Sequence, residues 1–231
     1  MVKQLIDVIV PAFIPTRLNL DYLSESVESL KRQTFKSFGV YILLNGSELF
    51  ADSVHRLVKD SPSMKLINLG PKASGAIARN AGLRLTSSKY VAQLDADDIY
   101  HPEKLEKQFI FLEEHEWCGL LATSNEVIKR SGSRQPGIDM RNFQSHQQIE
   151  SCIQNINPIC HGSVMFRRSE VFEAKGLYYN ELLKPGCIWP EYEKKMWEDW
   201  DLWIRCVRAG VKIHVLLDRL YFWREGSSVD R

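Results

Sequence analysis

Three aspartates lie within four residues, directly after an alternating apolar run, in the stretch YVAQLDADDIY from Tyr90 to Tyr100. Like charges at this spacing repel, and a carboxylate beside an apolar interior is costly to keep ionised. Hard divalent cations bind one or two such carboxylates and complete their shell with phosphate oxygens and water. The D-x-D of Asp95 and Asp97 therefore suits a metal–nucleotide site, with one side chain on the cation and the other on a ribose. An Asp-rich turn before a helix explains the same residues equally well.

A run of small residues, SGAIARNAG from Ser74 to Gly82, lies nearby with two cations, Lys72 and Arg79. Ser74 can cap a helix whose first N–H groups face an anion, and the two cations would suit a diphosphate. Small residues also let a helix pack closely against a sheet. Tight packing beside a solvated arginine is thus the competing interpretation.

Acids and tryptophans alternate in WEDWDLWIR, residues 197–205. Glu198, Asp199 and a third acid fall in one predicted first helical turn, where the helix dipole favours anions. Aromatic neighbours around ionised carboxylates could also form a sugar-binding wall that contains a general base. Trp200 and Trp203 fall at core spacing, so we assign them to packing. A carboxylate at a helix start is expected to stay ionised at neutral pH, as a base must.

His161 precedes Gly162 and Ser163 and could orient an acceptor or a phosphate. A lone histidine is more often a structural residue with satisfied hydrogen bonds, and we favour that interpretation slightly from the residue alone.

Strand and helix patterns alternate through the first half of the chain. Short apolar runs predict the strands, and apolar residues at i, i+4 and i+7 predict helices. Pro11 is expected to stop the first strand. The predicted strands are residues 6–10, 40–44, 64–69 and 90–94, and the predicted helices are residues 20–33, 49–58, 75–85 and one that begins at 102.

The second half is less regular. Residues 131–147 are polar, contain Gly and Pro, and predict a mobile loop that closes over bound ligand. Strands are predicted at residues 120–129, 163–166, 211–217 and 220–223, and a helix at residues 200–207 with Gly210 at its end.

This order of elements predicts an α/β fold with a mostly parallel, doubly wound sheet, helices on both faces and an irregular second half. Ligands bind such sheets beyond the carboxyl ends of the strands, so the turns at 11–13, 45–47, 70–75 and 95–98 should face one crevice. No repeat, low-complexity tract or linker divides the 231 residues. We predict one domain, with a nucleotide-binding half at about 1–101 and an acceptor-binding half at about 102–231.

The composition, 44% hydrophobic and 26% charged, is that of a soluble globular protein. A net charge of +1 gives no reason to expect a nucleic acid partner. The five cysteines are odd in number and lack a CxxC, which argues against a disulfide framework or a structural zinc site. No apolar run approaches the length of a transmembrane helix. We predict a cytoplasmic protein and leave peripheral membrane contact open.

Taken in order, these segments resemble the family 2 glycosyltransferases, inverting enzymes of GT-A fold, over most of the chain. The matching segments are VIVPAF, SLKRQTFKSF, ILLNGS, SGAIARNAGLRLTSSKYVAQLDADDIYHPEKL, HGSVMFRRSEVF and WEDWDLWIR. The resemblance implies transfer of a sugar from a nucleoside diphosphate sugar to an acceptor hydroxyl in polysaccharide or glycoconjugate synthesis. Mn²⁺ or Mg²⁺ would be the cofactor, and the acceptor a glycan, a lipid-linked sugar or a small molecule.

On the donor side, the resemblance implies that Phe13 flanks the nucleotide base, that Asp95 approaches the ribose and that Asp97 binds the metal. Asn45 stands where the family often has a base-reading aspartate. The implied donor-binding residues are Pro11, Ala12, Phe13, Asn45, Lys72, Arg79, Asp95 and Asp97.

On the acceptor side, the resemblance implies that Asp199 is the catalytic base. His161, Trp197 and Glu198 would border the acceptor.

Two positions depart from the family pattern. Asn45 replaces a charged acceptor with an amide, which weakens the case for uridine as the donor base. The family often follows its last strand with Arg-x-His near the metal or phosphates. Here the stretch YFWREGSS has Arg224 followed by Glu225 and Gly226, so no histidine completes that site.

Two other functions use a similar fold. A sugar-phosphate nucleotidyltransferase would need a glycine-rich, arginine-containing loop around a triphosphate, and the first turn PAFIPTR is not such a loop. A non-catalytic nucleotide-sugar binding module would keep the fold, but a degenerate site would be expected to lose Asp97 or Asp199, and both are present.

Overall fold

A computed structural model describes residues 4–183, 188–189 and 194–226. Its first half alternates strand and helix as predicted. The elements are β1 (Ile6–Ala12), α1 (Arg17–Lys31), β2 (Phe38–Leu44), α2 (Ala51–Val58), β3 (Met64–Asn68), α3 (Gly75–Leu85) and β4 (Tyr90–Gln93). The strands β3, β2, β1 and β4 are neighbours in this order and all pair in parallel.

Pro11 does not stop the first strand, contrary to the prediction. β1 continues to Ala12 and keeps its register with β2. In a strand, the N–H and C=O of one residue point to the same neighbour, and Ile9 accepts from Leu94 on the β4 side. The nitrogen of Pro11, two residues further on, therefore faces the side where β4 has already ended. The missing N–H of the proline removes no bond from the sheet.

The second half completes a mixed sheet. Its elements are β5 (Ile99–Tyr100), α4 (Lys104–Glu114), β6 (Leu120–Ile128), β7 (Arg134–Pro136), α5 (His146–Cys152), β8 (Met165–Arg167), β9 (Ile188–Trp189), β10 (Lys194–Lys195), α6 (Glu198–Arg208) and β11 (Ile213–Arg224). The sheet order is β3-β2-β1-β4-β8-β6-β11-β5. β8 lies antiparallel between β4 and β6, and β5 and β7 are also antiparallel to their partners.

Two predictions for the second half were wrong in detail. The strands expected at residues 211–217 and 220–223 are one strand, β11, with register shifts near Leu216 and Arg219. The stretch 131–147 is not a bare loop, because it holds β7 and a short 3₁₀ turn, and α5 begins at its end. A capping box between Ser145 and Gln148 fixes the start of α5.

Apolar clusters on both faces of the sheet form the core. The helices α1, α2 and α4 cover one face, with Leu23, Val54 and Leu105 buried there, and α3 and α6 cover the other. α3 packs very closely, since a Cβ added at Gly82 would lie 2.7 Å from Cγ2 of Ile9. This contact supports the packing interpretation of the small residues. The predicted α/β class, with a mostly parallel sheet and helices on both faces, is confirmed.

Candidate active site

The turns after the first three strands meet at the carboxyl edge of the sheet, as the topology predicted. Asn45 Nδ2 donates to the carbonyl of Ala73 at 3.2 Å, and the Gly46 N–H donates to Gly70 at 3.0 Å. The Phe13 ring lies against Gly46, where an added Cβ would be 2.8 Å from a ring carbon. Gly46 has φ of +73°, so a side chain there would also be strained.

Asn45 leaves one polar atom unsatisfied. The side chain is 1% exposed, and its Oδ1 is buried with no hydrogen-bond partner in the described part of the chain. Since Nδ2 is used by Ala73, the unsatisfied atom is an acceptor. An orphaned buried acceptor costs about 1–3 kcal/mol.

The other first-turn residues differ in exposure. Pro11 and Ala12 are buried at the end of β1, and Phe13 is partly buried behind them. Lys72 lies exposed in the turn that precedes α3.

Arg79 connects the two halves of the crevice. From α3, its Nη2 donates to Asp95 at 2.8 Å and its Nη1 donates to Glu198 at 2.9 Å. The flanking carboxylates raise the pKa of Arg79, although burial acts in the opposite direction and is the larger single influence. The arginine is therefore not solvated, and in this state its charge is already balanced by two carboxylates.

The three clustered aspartates have different surroundings. Asp95 and Asp97 are partly exposed, whereas Asp98 is buried. Asp98 accepts a hydrogen bond from the Tyr221 hydroxyl and another from the backbone N–H of Arg224 at 2.6 Å. Burial, together with the charges of Asp97 and Asp95, raises its pKa well above 3.8. Asp98 thus anchors the end of β11 behind the turn, while Asp95 and Asp97 stay partly exposed.

Asp97 suits a metal ion that arrives with its substrate. Among residues 4–183, 188–189 and 194–226, no group of three or more His, Cys, Asp or Glu side chains could hold a metal ion. Mg²⁺ and Mn²⁺ do not need one, because they are held by one or two carboxylates plus substrate phosphates and water. A partly exposed carboxylate that follows a strand end meets that requirement.

Arg224 lies beside the D-x-D turn, where the sequence lacks the expected histidine. Its Nε donates to the backbone oxygen of Asp97 at 2.9 Å, and its Nη2 lies 2.7 Å from Glu25. The guanidinium also lies over the Tyr22 ring, 4.2 Å from the centroid. A fixed cation therefore borders the D-x-D turn.

Asp199 lies at the start of α6, next to Glu198. Its Oδ2 accepts from Asn157 Nδ2 at 3.2 Å, and its Oδ1 accepts from the Trp200 N–H at 2.7 Å. Burial, and then the charge of Glu198, raises its pKa from 3.8 to about 7. The expectation of a fully ionised carboxylate at neutral pH was therefore wrong, because burial outweighs the favourable hydrogen bonds at the helix start. A pKa near neutrality still suits a general base.

The tryptophans in and just before α6 differ in burial, and Trp200 and Trp203 pack in the core as predicted. Trp203 is fully buried, and Trp200 is buried with its Nε1 donating to the carbonyl of Ile153 at 2.7 Å. Trp197, the residue before the helix, is 46% exposed. Of the three, Trp197 alone could present a ring to an acceptor sugar.

His161 is held in place by its neighbours. Its Nε2 shares a hydrogen bond of 2.9 Å with the Tyr179 hydroxyl, and its ring packs against Trp203. Burial, and then the charge of Arg79, lowers its pKa to about 4, so the ring is neutral at neutral pH. These contacts support the structural interpretation of His161. The same Tyr179 also lies close to Arg79, with its ring centroid 5.8 Å from the guanidinium, so Tyr179 connects His161 to the Arg79 bridge.

Sequence reasoning gave no role to four residues that contact the candidate site residues or hold their turn. Asp98 carried a detectable signal as the third aspartate of its cluster, but the others belong to segments without charge patterns. The four residues are Asp98, Asn157, Tyr179 and Tyr221.

A protein-family model matches most of the chain. The family model "Glycosyl transferase family 2" matches residues 8–175, which run from within β1 to beyond β8 and include the D-x-D turn. No helix in the described ranges is both long enough and apolar enough to cross a membrane.

Similar proteins carry glycosyltransferase names. The chain is 29% identical to the amylovoran biosynthesis glycosyltransferase AmsE of Erwinia amylovora, over 90% of this chain and 72% of AmsE. The structure of S. aureus TarS with UDP-GlcNAc is similar with a TM-score of 0.72 and 19% identity, over 97% of this chain and 60% of that one. The mannosyltransferase PcManGT from Pyrobaculum calidifontis, in complex with GDP-Man and Mn²⁺, gives a TM-score of 0.66 and 18% identity, over 95% of this chain and 56% of that one. The chain thus spans less than two thirds of either solved relative, and these likenesses show the GT-A fold.

Proposed function

The chain belongs to glycosyl transferase family 2, and from that premise we propose that it moves a sugar from a nucleoside diphosphate sugar to an acceptor hydroxyl, with inversion at the anomeric carbon. One observation carries the proposal. The crevice combines a carboxylate whose pKa is raised to about 7, Asp199, with the partly exposed Asp95 and Asp97, and Arg79 ties the two sides together.

Asp199 is the proposed base. It takes the proton of the acceptor hydroxyl as that oxygen forms a bond to the anomeric carbon. The bond from the anomeric carbon to the diphosphate oxygen breaks in the same displacement, and the nucleoside diphosphate leaves as an anion. A single displacement needs one base and one stabilised leaving group, and it inverts the anomeric centre.

Asp97 is the proposed ligand of Mn²⁺ or Mg²⁺, with the phosphates and water completing the shell. When bound, the cation would offset the charge on the leaving diphosphate. The Mn²⁺ in the PcManGT structure supports this choice of cofactor. Arg79 and Lys72 are the nearby cations proposed to face the phosphates, and Asp95 the acid proposed to reach the ribose.

Asn45 is proposed to read the donor base, with Phe13 flanking the ring and Pro11 and Ala12 shaping the turn. Its unsatisfied atom is the acceptor Oδ1, since Nδ2 already donates to Ala73. Uracil and guanine carry a ring N–H on the edge used for base pairing, whereas cytosine and adenine present an acceptor there. We therefore favour a UDP- or GDP-linked donor.

The acceptor is proposed to lie between Trp197, Glu198 and His161, on the side of α6. Exposed Trp197 supplies an aromatic face, while His161 holds Tyr179 at the same wall. The name of AmsE, from amylovoran biosynthesis, supports a role in polysaccharide or glycoconjugate synthesis. We propose that the reaction takes place in the cytoplasm, where nucleotide sugars are available.

A donor screen tests the proposal. The protein is titrated with UDP, GDP, CDP and ADP in the presence of Mn²⁺, and thermal unfolding is followed. A nucleotide at a hundredfold excess over its Kd stabilises the native state by about 2.7 kcal/mol. The matching nucleotide sugars are then incubated with Mn²⁺, and nucleotide release is measured. Failure of every nucleoside diphosphate to bind would overturn the proposal, and tighter binding of CDP or ADP would overturn the role of Asn45.

A further inference from the structure

The side chain of Asn157 lies against the proposed base. Its Nδ2 donates to Asp199 Oδ2 at 3.2 Å, from the irregular segment between α5 and β8. The two residues are 42 positions apart in the chain. Nothing in the sequence around Asn157 indicates a role in catalysis, so the contact is a product of the fold.

The orientation of the Asn157 amide is fixed by the backbone. The N–H of Ile159 donates to Asn157 Oδ1 at 3.2 Å. A backbone N–H can only donate, so the atom it meets must be the amide oxygen, and Nδ2 is left to face Asp199. Pro158 also restricts the preceding residue to extended backbone conformations. The donor of Asn157 is therefore aimed before any substrate binds.

A second contact fastens the same segment to α6. Trp200 Nε1 donates to the carbonyl of Ile153 at 2.7 Å, and Ile153, Ile159 and Trp200 share one buried cluster. The segment 153–159 is thus attached to α6 through the residue that follows Asp199 as well as through Asp199 itself. Movement of Asn157 relative to the carboxylate would require both contacts to break.

Resting on the proposed role of Asp199, we propose that Asn157 is a positioning residue that holds the Asp199 carboxylate in the orientation from which it accepts the proton of the acceptor hydroxyl. In the part of the chain that the structure describes, each carboxylate oxygen has one donor, Asn157 on Oδ2 and the Trp200 N–H on Oδ1. A carboxylate oxygen has two lone pairs, so each oxygen keeps one lone pair for a substrate proton.

An amide suits this position better than a cation. A lysine or arginine at this distance would lower the pKa of the carboxylate by about 1–3 units and weaken it as a base. The neutral amide fixes the carboxylate at a smaller cost in basicity, consistent with an Asp199 pKa of about 7.

Several ionisable groups face Asp199 from the elements around it. Glu198 adjoins it in α6, Arg79 faces it from α3, and Tyr179 and Cys160 lie on neighbouring segments. All of these stay in place when Asn157 alone is changed. A change in the Asp199 titration would therefore report the loss of the amide.

The contact is tested by titrating Asp199 in protein labelled with ¹³C at the aspartate carboxyl carbons, with Asp199→Asn used to assign the signal. Asn157→Leu keeps the side-chain size and removes the donor, and we expect it to raise the midpoint of Asp199 by about one pH unit. Asn155→Leu is the matched control, because Asn155 is an exposed asparagine of the same segment. A midpoint that moves no further in Asn157→Leu than in the control would overturn the proposal.

The role is tested by turnover in Asn157→Asp. The new carboxylate can still accept from the Ile159 N–H, but when ionised it cannot donate to Asp199. Using the nucleotide sugar found by the donor screen, we expect kcat to fall by about 10–100-fold, donor KM to stay within about twofold, and the acid limb of the pH profile to move to higher pH. A variant that only lost stability would keep the wild-type pH profile.

The outcomes separate this proposal from the proposed function. If Asp199→Asn is inactive while Asn157→Asp keeps the wild-type kcat and pH profile, the base stands and the positioning role is wrong. If Asp199→Asn keeps wild-type turnover, the base assignment is wrong and the role of Asn157 falls with it.

Discussion

Nη1 of Arg79 in α3 lies 2.9 Å from the Glu198 carboxylate in α6, across 119 positions of the chain. The second donor of the same guanidinium holds Asp95, 2.8 Å away at the end of the central strand β4. The side chains of Arg79 and Glu198 are only 10% and 14% exposed, so this pair is shielded from solvent. One cation therefore ties the donor side of the crevice to the helix that carries the proposed base.

Arg79→Lys should destabilise the protein although the charge is kept. A lysine ammonium is a point charge on a flexible stem and cannot match the two-pronged geometry of the guanidinium, so one carboxylate would lose its partner. An unsatisfied, largely buried group costs about 1–3 kcal/mol, and we expect a loss of this size in the free energy of unfolding. Urea unfolding at neutral pH measures it.

Arg84→Lys is the matched control for that variant. Arg84 lies 3.5 Å from Glu181 with its side chain 61% exposed, and exposed pairs contribute about 0–1 kcal/mol. Equal losses in the two variants would show that the Arg79 bridge is no stronger than a surface ion pair.

Stability and activity should respond in opposite directions to Asp199→Asn. The folded protein raises the pKa of Asp199 from 3.8 to about 7, so it binds that proton more readily than the unfolded chain does. The stability that this raised pKa contributes is fully present below pH 3.8, the ordinary pKa. It is lost as the pH rises through the folded-state pKa of about 7. The unfolding free energy of Asp199→Asn, relative to that of the wild type, should therefore be higher at pH 8 than at pH 5. Urea unfolding of both proteins at the two pH values measures this difference.

The rate of transfer should follow the ionised fraction of Asp199. We expect kcat to rise with pH through a midpoint of about 7, and to fall by about 10²–10⁴ in Asp199→Asn while donor Kd is unchanged. Glu198→Gln removes a charge that raises the Asp199 pKa, so its acid limb should move to lower pH, with kcat retained at saturating acceptor and acceptor binding weakened. A pH profile that is flat between pH 5 and pH 8 would exclude Asp199 as the base.

The first half of the fold could be predicted because its strands alternate with helices and each strand ends in a turn signal. The strand β8 was predicted at residues 163–166, but its place in the sheet was not, because no local pattern indicates antiparallel insertion between β4 and β6. Pro11 misled the prediction for a related reason. Whether a proline ends a strand depends on which neighbour still extends beside it, and β4 lies far along the chain.

The candidate site divides in the same way. Asp95, Asp97 and Asp199 could be identified because they lie in short patterns that a resemblance can match. The partner of Arg79, the pKa of Asp199 and the contact from Asn157 depend on which distant segments bury these groups. Burial and pairing of this kind are set by tertiary packing, and no local spacing encodes them.

Asp97→Asn and Asp98→Asn should have different effects although the residues are adjacent. Asp97→Asn should keep the fold and weaken Mn²⁺-dependent binding of the nucleoside diphosphate by at least about 10–100-fold. Asp98→Asn replaces a buried acceptor of the Tyr221 hydroxyl and the Arg224 N–H, and should cost about 1–3 kcal/mol of stability. Calorimetric titration with and without Mn²⁺, beside thermal unfolding, measures both effects. Unchanged affinity in Asp97→Asn would remove it as the metal ligand.

Lys104 supplies the last prediction, because it is a fully buried lysine at the first position of α4. Its Nζ donates to Gln108 Oε1 at 2.8 Å and lies 4.0 Å from the centroid of the Tyr100 ring. Burial lowers its pKa well below 10.5. For a base with a lowered folded pKa, the contribution to stability is present above the unfolded value and is lost as the pH falls through the folded one. The lysine should therefore cost more stability at pH 7 than at pH 10.

Lys104→Met removes this dependence on pH. The variant loses the hydrogen bond to Gln108 at every pH, so its change in unfolding free energy at a single pH does not isolate the charge of Lys104. The difference in that change between two pH values does isolate it. We expect the unfolding free energy of the variant, relative to the wild type, to be higher at pH 7 than at pH 10. Lys107→Met is the control, since Lys107, with its side chain 41% exposed, pairs with Asp218 at 2.7 Å and its pKa is raised by that contact. That variant should lose at most about 1 kcal/mol of unfolding free energy, and this loss should shrink only as the pH rises above 10.5. The pH dependence of its stability therefore has the opposite sign to that of Lys104→Met. If Lys104→Met shows no difference between the two pH values, Lys104 does not carry a perturbed charge in the folded protein.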